Sequence, residues 1–274
     1  MKKQVSLSLF FCFLSLFLMS DSAFAADLQK QLTGESAIEQ IVKRGNIRVG
    51  LDVFVPWAMK DKTGKLIGFE VDVATKLAND MGIQLELVPT EWSGIIPALL
   101  AGKFDVIIGG MTVTAERNMK INFSNPYYFT GQGLLINKNL AGNLSLADFN
   151  SPNVTLAARM GSTSAVVAKK QFPKAVIRLF DTEPAAVQEV RNGRVHAMVS
   201  GQPLPVQQAA MAPDTLIAYP DLLMEEPIAI GLRKGDVDTL NFLNNWITVN
   251  QHNGWIKERY HYWFETTEWQ SLVQ

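Results

Sequence analysis

Apolar residues in this chain fall into short runs whose spacing alternates between that of strands and that of helices. Residues 47–51 and 106–108 are apolar runs typical of buried strands, and residues 84–88 alternate apolar with polar positions. Between these runs, residues 69–81 and 93–101 have helical spacing and are each followed by a glycine. This alternation predicts an α/β fold with a mostly parallel sheet and crossover helices.

The second half of the chain repeats the pattern. Residues 154–157, 176–180 and 197–199 are predicted strands, residues 161–164 open a helix, and residues 183–191 form another helix. Two α/β units of this kind predict two similar lobes with a cleft between them, and a cleft is a common way to enclose a small ligand.

We predict that the chain crosses between the lobes twice, at 137–143 and near 223–227. The first lobe would then contain residues 26–138 and 225–274, and the second lobe residues 139–224. Two crossings allow the lobes to open and close about a hinge.

The first 25 residues have the features of a secretory signal. Lys2 and Lys3 precede an apolar run over 7–19, and Ala-Phe-Ala at 23–25 supplies the small residues that a signal peptidase reads. The run is shorter than the roughly 20 residues that span a bilayer, although a retained anchor is the alternative. We therefore expect cleavage near Ala26 and a periplasmic protein.

Composition excludes several classes of function. A formal net charge of −1 gives no electrostatic basis for binding nucleic acid. Cys12 is the single cysteine and lies in the predicted signal, so the mature chain has no thiol nucleophile or disulfide. The three histidines share no ligand spacing with carboxylates, and no serine lies in a G-x-S-x-G elbow. We predict no metal, no cofactor and no catalytic residue.

One candidate binding residue is Arg117, within the stretch 105–128. It follows a predicted strand, Gly110 and Thr112, a position on the side of the sheet where α/β proteins bind ligands. Its guanidinium can meet a carboxylate with two parallel hydrogen bonds. The alternative is a solvated residue in a helix that Thr114 caps.

A second candidate is the segment Gly-Ser-Thr-Ser at 161–164, at a strand-to-helix junction. The free N–H groups and the helix dipole there favour an anion, and Ser162 and Thr163 would supply them. The alternative is an ordinary N-cap.

Aromatic residues after the predicted strands are candidates for the walls of a cleft. Phe54, Trp57 and Trp92 could line it, because small-ligand sites are largely apolar with few polar groups. For each of them taken alone, a place in the core is the favoured alternative, and Phe54 and Trp92 gain from lying in loops on the predicted ligand side.

Several segments together resemble a known family. GNIRVGLD, GFEVDVATKLA, WSGIIPALLAGKFD, GMTVTAER and FSNPYY, in this order between Gly45 and Tyr128, resemble the periplasmic polar-amino-acid-binding proteins of ABC importers. The resemblance continues more loosely to the C-terminal NxWxxxNxxxGWIKERYxxWF. It implies a two-lobed periplasmic binding protein fold of type II that closes on its ligand.

The resemblance also implies roles for the candidate residues. Arg117 would hold the α-carboxylate of an amino acid, assisted by Thr112 and by amides around Thr163. The backbone around Gly110 would accept from the α-ammonium, and Phe54 and Trp92 would sandwich the side chain.

The chain departs from the family pattern at the ammonium. Relatives usually have an Asp in a D-x-P context, whereas Gly201 stands here, followed by Gln202 and Pro203. A buried ammonium without a counter-charge costs several kcal/mol. Either another acid, such as Asp52 or Glu70, replaces the missing one, or the ligand is not an ordinary α-amino acid. Asp52 and Gln202 are therefore also candidate ligand-binding residues.

We predict a monomeric periplasmic receptor that captures an amino acid or a related small carboxylate and delivers it to an ABC permease in the inner membrane. One alternative is a periplasmic enzyme on the same scaffold, similar to cyclohexadienyl dehydratases, which would need a carboxylate acid or base in the cleft. Another is a subunit that presents its ligand to a membrane sensor.

Overall fold

The computed structural model describes residues 36–273, so the predicted signal over residues 1–25 lies outside the described residues. The α-helices are α1 (Ala37–Arg44), α2 (Phe69–Asp80), α3 (Ile95–Leu100), α4 (Ala115–Asn118), α5 (Lys138–Ala141), α6 (Thr163–Gln171), α7 (Glu183–Arg191), α8 (Leu204–Met211), α9 (Val237–His252) and α10 (Trp255–Tyr260). Short 3-10 turns cover Trp92–Gly94, Leu146–Phe149 and Glu268–Leu272, and His261–Glu265 is a π-helix.

The strands form two main sheets and one small hairpin. They are β1 (Asn46–Leu51), β2 (Met59–Lys60), β3 (Leu66–Ile67), β4 (Gln84–Pro89), β5 (Val106–Ile107), β6 (Asn122–Phe123), β7 (Tyr128–Asn137), β8 (Thr155–Arg159), β9 (Val176–Phe180), β10 (Ala197–Gly201), β11 (Leu216–Ala218), β12 (Met224–Ile228) and β13 (Gly231–Leu232). This is the type II, two-lobed α/β arrangement that the sequence predicted.

The first sheet has the strand order β4-β1-β5-β13-β6. β1 is parallel to β4 and β5, whereas β13 is antiparallel to β5 and β6, so the sheet is mixed. Helix α2 packs on this sheet through Phe69, Val73 and Leu77, which are spaced four residues apart and fully buried. This spacing explains why residues 69–80 form a helix rather than another strand.

The second sheet has the order β11-β7-β10-β8-β9, and β12 also pairs with β7. β8 is parallel to β9 and β10, and β7 is antiparallel to its three neighbours. Its core contains Leu134, Leu156, Val167 and Val199, which β7, β8, α6 and β10 contribute. In each sheet, the loops that follow the carboxyl ends of the parallel strands are therefore in a position to hold a ligand.

A pair of antiparallel strands links the two sheets. β7 follows β6 of the first sheet, β12 precedes β13 of the same sheet, and Tyr128–Gln132 pairs with Met224–Ile228. The predicted first crossing, 137–143, contains helix α5, which the Asn137 side chain caps. We propose that the paired segments of β7 and β12 are the crossings; the division into lobes stays a prediction.

The C-terminal helices belong to the core of the first sheet and contact helix α2. Trp246, Trp263 and Trp269 are buried in the cluster that contains Phe69. The indole N–H of Trp246 donates to Asp80 at 2.8 Å, and that of Trp263 donates to Asp72 at 2.6 Å. Within residues 36–273, no helix combines the length and the apolar character needed to span a membrane.

Candidate functional site

The two sheets meet at a small cavity beside the crossing strands. Its volume is about 30 Å³, which is room for about two water molecules. It is lined by Phe54, Trp57, Trp92, Gly110, Thr112, Thr130, Gln132, Arg159, Ser162, Thr163, Ser164, Glu183, Gly201, Glu226 and Ile228. Most of the candidate residues are in this lining, namely Phe54, Trp57, Trp92, Gly110, Thr112, Ser162 and Thr163, whereas Arg117, Asp52, Glu70 and Gln202 are not.

Polar side chains bridge the cleft above this cavity. Each bridge joins a residue that follows a strand of the first sheet to a residue around the end of β8 in the second. The bridges are Thr112 Oγ1 to Thr163 Oγ1 at 3.4 Å, Arg117 Nη2 to the Gly161 carbonyl at 3.2 Å, and Arg159 Nη1 to Asp52 Oδ2 at 2.6 Å. The two candidate segments predicted from sequence, around Arg117 and at 161–164, therefore face each other.

Arg117 lies at the edge of this cleft. Its Nη1 donates to the Thr112 carbonyl at 2.9 Å, and its guanidinium carbon lies 5.6 Å from the Trp92 ring centroid. Thr114 Oγ1 accepts from the Arg117 N–H, so the helix cap of the alternative prediction is present, whereas the binding role of Arg117 stays a prediction. Burial lowers the pKa of Arg117 to about 10, and the guanidinium is still charged at neutral pH.

Gly110 lines the cavity, and both its backbone conformation and the space around it favour glycine. Its φ is 69°, and a Cβ there would lie 2.9 Å from the Trp57 ring. Its N–H donates to Glu70 Oε1 at 3.0 Å. The predicted role of this backbone toward an ammonium stays a prediction.

Glu70 lies outside the cavity lining, in the aromatic core behind Gly110. It is fully buried, and it accepts hydrogen bonds from Tyr127 Oη at 2.6 Å and Tyr128 Oη at 3.3 Å. Burial raises the pKa of Glu70 to about 8. Its contacts are those of a structural carboxyl, so it does not replace the acid missing at Gly201.

The space between Phe54 and Trp92 holds the side chain of Arg159. The guanidinium carbon of Arg159 lies 4.7 Å from the Phe54 centroid and 4.6 Å from the Trp92 centroid. Arg159 is 4% exposed. The two aromatic residues that sequence reasoning assigned to a ligand side chain therefore enclose a residue of the protein.

Two buried acids pair with Arg159. Asp52 Oδ2 lies 2.6 Å from Nη1, and Glu183 Oε1 lies 3.5 Å from Nε. Glu183 also accepts from Ser200 Oγ at 3.0 Å. Burial raises the pKa of Asp52 and of Glu183, and the charge of Arg159 opposes both shifts. Asp52 is thus engaged by Arg159.

The crossing strands contribute a further acid, Glu226. Its Oε2 accepts from Gln132 Nε2 at 2.7 Å and from Thr112 Oγ1 at 3.1 Å. Its Oε1 is buried and has no hydrogen-bond partner among the described residues. A carboxylate oxygen in this position is ready to accept from a ligand donor in the cavity.

Gly201 lines the cavity, whereas the neighbouring Gln202 does not. The Gln202 N–H donates to the Gly131 carbonyl at 2.8 Å, and its carbonyl accepts from Thr130 Oγ1 at 3.2 Å. The Gln202 side-chain amide lies against Gly133 on β7. These contacts favour a structural role for Gln202 over the predicted contact with a ligand.

The cavity residues that were missed in the sequence include four with charged or amide side chains, namely Gln132, Arg159, Glu183 and Glu226. A signal for Arg159 was present, because it is a charged residue at the end of an otherwise apolar strand, on the ligand side of the sheet. Glu183 opens a helix after β9, which is the same side. Glu226 and Gln132 lie on the crossing strands, and no local pattern separates them from ordinary strand residues.

Comparison with known proteins assigns the chain to a family. Residues 47–266 match the bacterial extracellular solute-binding proteins, family 3. The chain belongs to this family. Among curated relatives of this family-3 protein, the L-cystine-binding protein TcyJ of Escherichia coli (strain K12) is 28% identical over 236 residues, covering 86% of this chain and 88% of the relative.

Solved structures of similar proteins have the same fold. The ancestral amino acid-binding protein AncCDT-1, described as a precursor of cyclohexadienyl dehydratase, is 42% identical with a TM-score of 0.79, covering 84% of this chain and 100% of that one. A binding component of an ABC transporter from Wolinella succinogenes, complexed with lysine, is 41% identical with a TM-score of 0.79, covering 83% and 99%. This family-3 chain is thus similar to amino-acid-binding proteins over nearly its whole described length.

Proposed function

We propose that this family-3 protein is a periplasmic receptor that captures an amino acid, or a closely related small carboxylate, and delivers it to an ABC importer. The observation that carries the proposal is the free Oε1 of Glu226, which is buried in the cleft; Glu226 and the Arg117 guanidinium both hydrogen-bond to Thr112. A zwitterion needs an anionic and a cationic partner side by side. The amino-acid-binding relatives support the same class of ligand.

In this proposal the carboxylate of the ligand binds near Arg117, Thr112 and the first amides of α6. The ammonium binds Glu226, which takes over the part of the acid absent at Gly201. Thr112 connects the two ends, because its Oγ1 donates to Glu226 and lies 3.4 Å from Thr163 Oγ1. The two charged groups of an α-amino acid share one carbon atom, so neighbouring partners of opposite charge suit it.

The first test is a ligand panel. Calorimetry and thermal shift against the common amino acids and small carboxylates should find at least one amino acid that binds and raises the melting temperature. If no amino acid stabilises the protein at millimolar concentration, the proposal of an amino-acid receptor is wrong.

A second test separates the two ends of the ligand. Glu226→Gln removes the counter-charge of the ammonium, and a hydrogen bond to a charged group contributes about 1.5–3 kcal/mol. We therefore expect the amino acid to bind roughly 10- to 100-fold more weakly. The des-amino analogue, which keeps the carboxylate, should bind no more weakly to the variant than to the wild type.

Glu225→Gln is the matched control, because Glu225 is the exposed neighbour of Glu226 on the same strand. This variant should bind the amino acid and its des-amino analogue as tightly as the wild type does. If Glu226→Gln binds the amino acid as tightly as the wild type does, Glu226 is not the ammonium partner.

An enzyme on the same scaffold is the second candidate function. Glu183 favours it, since a buried carboxyl with a raised pKa that lines the cavity could act as a general acid. The similarity to a precursor of cyclohexadienyl dehydratase points the same way. Incubation with prephenate or arogenate, followed by detection of the aromatic product, tests it. Turnover that Glu183→Gln abolishes would replace the receptor proposal by an enzymatic one.

Export and delivery are further parts of the proposal. We expect the mature protein to be a monomer in the periplasm that begins near Ala26, which N-terminal sequencing and light scattering of the exported protein would check. Ligand-dependent transport by a reconstituted permease would support delivery to an importer. Ligand-dependent binding to a membrane sensor instead would favour the role of a presenting subunit.

A further inference from the structure

The cavity leaves little room for a ligand side chain, because the aromatic slot beside it is occupied from within the protein. The slot is the space between the Phe54 and Trp92 rings, and the Arg159 guanidinium fills it at 4.7 and 4.6 Å from the two centroids. Flat aromatic faces on both sides of a cation, with carboxylates at its edge, form a typical site for a guanidinium.

The carboxylates of Asp52 and Glu183 complete this slot. Asp52 lies 2.6 Å from Arg159 Nη1 and comes from the first sheet, whereas Glu183 lies 3.5 Å from Nε and comes from the second. The two acids are 14% and 3% exposed, so neither is available to another cation while Arg159 is present. The slot is thus a cation site that contains its own cation, in which Asp52 hydrogen-bonds to Arg159 and Glu183 contributes its charge without a hydrogen bond to Nε.

We infer that Arg159 acts as a built-in occupant of the side-chain slot, so that this protein excludes cationic amino acids and takes amino acids with a small, uncharged side chain. A cationic side chain would meet the Arg159 charge and find both acids engaged. An acidic side chain would face Asp52 and Glu183. A long apolar side chain would have to displace a buried ion pair, and breaking such a pair is strongly unfavourable.

This inference rests on the proposed function for the binding of an amino acid, but the slot itself is testable without it. Arg159→Ala removes the guanidinium and leaves two acids between two aromatic rings. Ethylguanidinium, which has neither an α-carboxylate nor an α-ammonium, is the probe for the empty slot. At low millimolar concentration it should raise the melting temperature of Arg159→Ala and leave that of the wild type unchanged.

The second probe pair is L-arginine and L-citrulline, which have the same length and differ in charge at the side-chain end. We expect Arg159→Ala to bind L-arginine at least tenfold more tightly than the wild type does, and L-citrulline with no such gain. Arg178→Ala is the matched control. Arg178 also stacks on an aromatic ring, Phe180 at 5.5 Å, and pairs with Glu189 at 3.3 Å, but it lies outside the cavity.

The outcomes separate the two proposals. If ethylguanidinium stabilises Arg159→Ala and neither protein binds any amino acid, the slot is correct and the proposed function is wrong. If the wild type binds small amino acids but Arg159→Ala is not stabilised by ethylguanidinium and does not bind L-arginine more tightly, the slot inference is overturned and the proposed function stands. Wild-type protein that binds L-arginine more tightly than alanine or serine would also overturn the inference.

Arg159→Ala leaves two acids unpaired. If this variant fails to fold, the wild type tests the inference, because it should bind small, uncharged amino acids more tightly than L-arginine. Arg159→Met, in which methionine refills much of the slot without a charge, is the control for an occupied slot. Arg159→Met should not bind ethylguanidinium, and it should bind L-methionine no more tightly than L-alanine. A gain of ethylguanidinium binding by Arg159→Met would contradict the idea that the slot must be vacated.

Discussion

Glu70 illustrates how a single residue connects the core to the site. It receives hydrogen bonds from two tyrosines on one side and from the Gly110 N–H on the other, so it holds the loop that lines the cavity. Because burial is the main cause of its raised pKa, its proton is part of the folded structure near neutral pH.

The pKa of Glu70 predicts a pH dependence of stability. Its pKa rises from 4.5 to about 8 on folding, so between these values the folded protein binds more protons than the unfolded chain. The contribution of Glu70 to stability is therefore complete below about pH 4.5 and is lost as the pH rises through about 8. The loss is about 5 kcal/mol at most.

Glu70→Gln should remove this dependence. The amide resembles the neutral carboxyl, so the variant should unfold at a similar temperature to the wild type at pH 5 and at a higher temperature at pH 9. Glu116→Gln, at a side chain that is 72% exposed, is the control and should follow the wild type at both pH values. If the melting temperatures of wild type and Glu70→Gln change with pH in the same way from pH 5 to pH 9, the prediction is wrong.

At the scale of elements, helix α1 has no cap of its own. The Ser36 side chain accepts from no N–H of the helix, and its first amides bond to another helix instead. The Ala37 N–H donates to Asp236 at 2.7 Å, and the Ile38 N–H donates to Thr239 Oγ1 at 2.8 Å. Asp236 also caps α9 through the Thr239 N–H at 2.9 Å. One carboxylate therefore serves two helix N-termini.

Asp236→Ala should destabilise the protein more than the loss of an ordinary cap. An N-cap replaced by alanine costs about 0.5–2 kcal/mol, and here two helices lose an acceptor at once. We expect a loss of about 2–3 kcal/mol in the free energy of unfolding, measured by urea denaturation. The exposed Asp238→Ala, two residues further along, should cost far less. Equal losses for the two variants would show that the shared cap is unimportant.

Some helices could be predicted from the sequence and others could not. Helix α2 was predicted at 69–81 and covers Phe69–Asp80, because its apolar positions repeat every four residues and a glycine follows. Helix α5 was missed, since a helix of four residues is too short to show a period and depends on the Asn137 cap.

The residues of the candidate site also differ in how far the sequence could predict them. Gly110 and Thr163 follow strand ends and could be predicted, whereas Glu226 reaches the cavity through the pairing of two distant strands.

For the whole molecule, the polar bridges across the cleft imply motion. They join both sides of the cleft beside the cavity, so we propose that a ligand enters while the lobes are apart. The bridges across the cleft are a few polar contacts, and β7 and β12 supply the antiparallel connection about which the lobes could rotate. Closure by such a hinge stays a proposal, and it can be tested by locking the two lobes together.

Ser93 and Gly161 are suitable positions for a lock. They lie on opposite sides of the cleft, and a Cβ built on Gly161 would lie 3.6 Å from the Ser93 Cβ and 3.3 Å from the Ser93 Cα. The Cβ–Cβ separation is within the range for a disulfide, roughly 3.5–4.5 Å, and the close contact with the Cα requires a shift of a few tenths of an ångström. The sequence after residue 12 contains no cysteine, so Ser93→Cys/Gly161→Cys would form its disulfide without competitors in the mature chain. The positive φ of Gly161, 72°, adds a modest strain.

The oxidised double variant should trap the closed form. We expect it to take up ligand at least tenfold more slowly than the wild type, because the cleft cannot open, and dithiothreitol should restore the rate. Its radius of gyration from small-angle X-ray scattering should not change on ligand addition, whereas that of the wild type should decrease. The two single variants control for each substitution alone. Rapid uptake by the fully oxidised protein would mean that the ligand enters without separation of the lobes, and the hinge proposal would then be wrong.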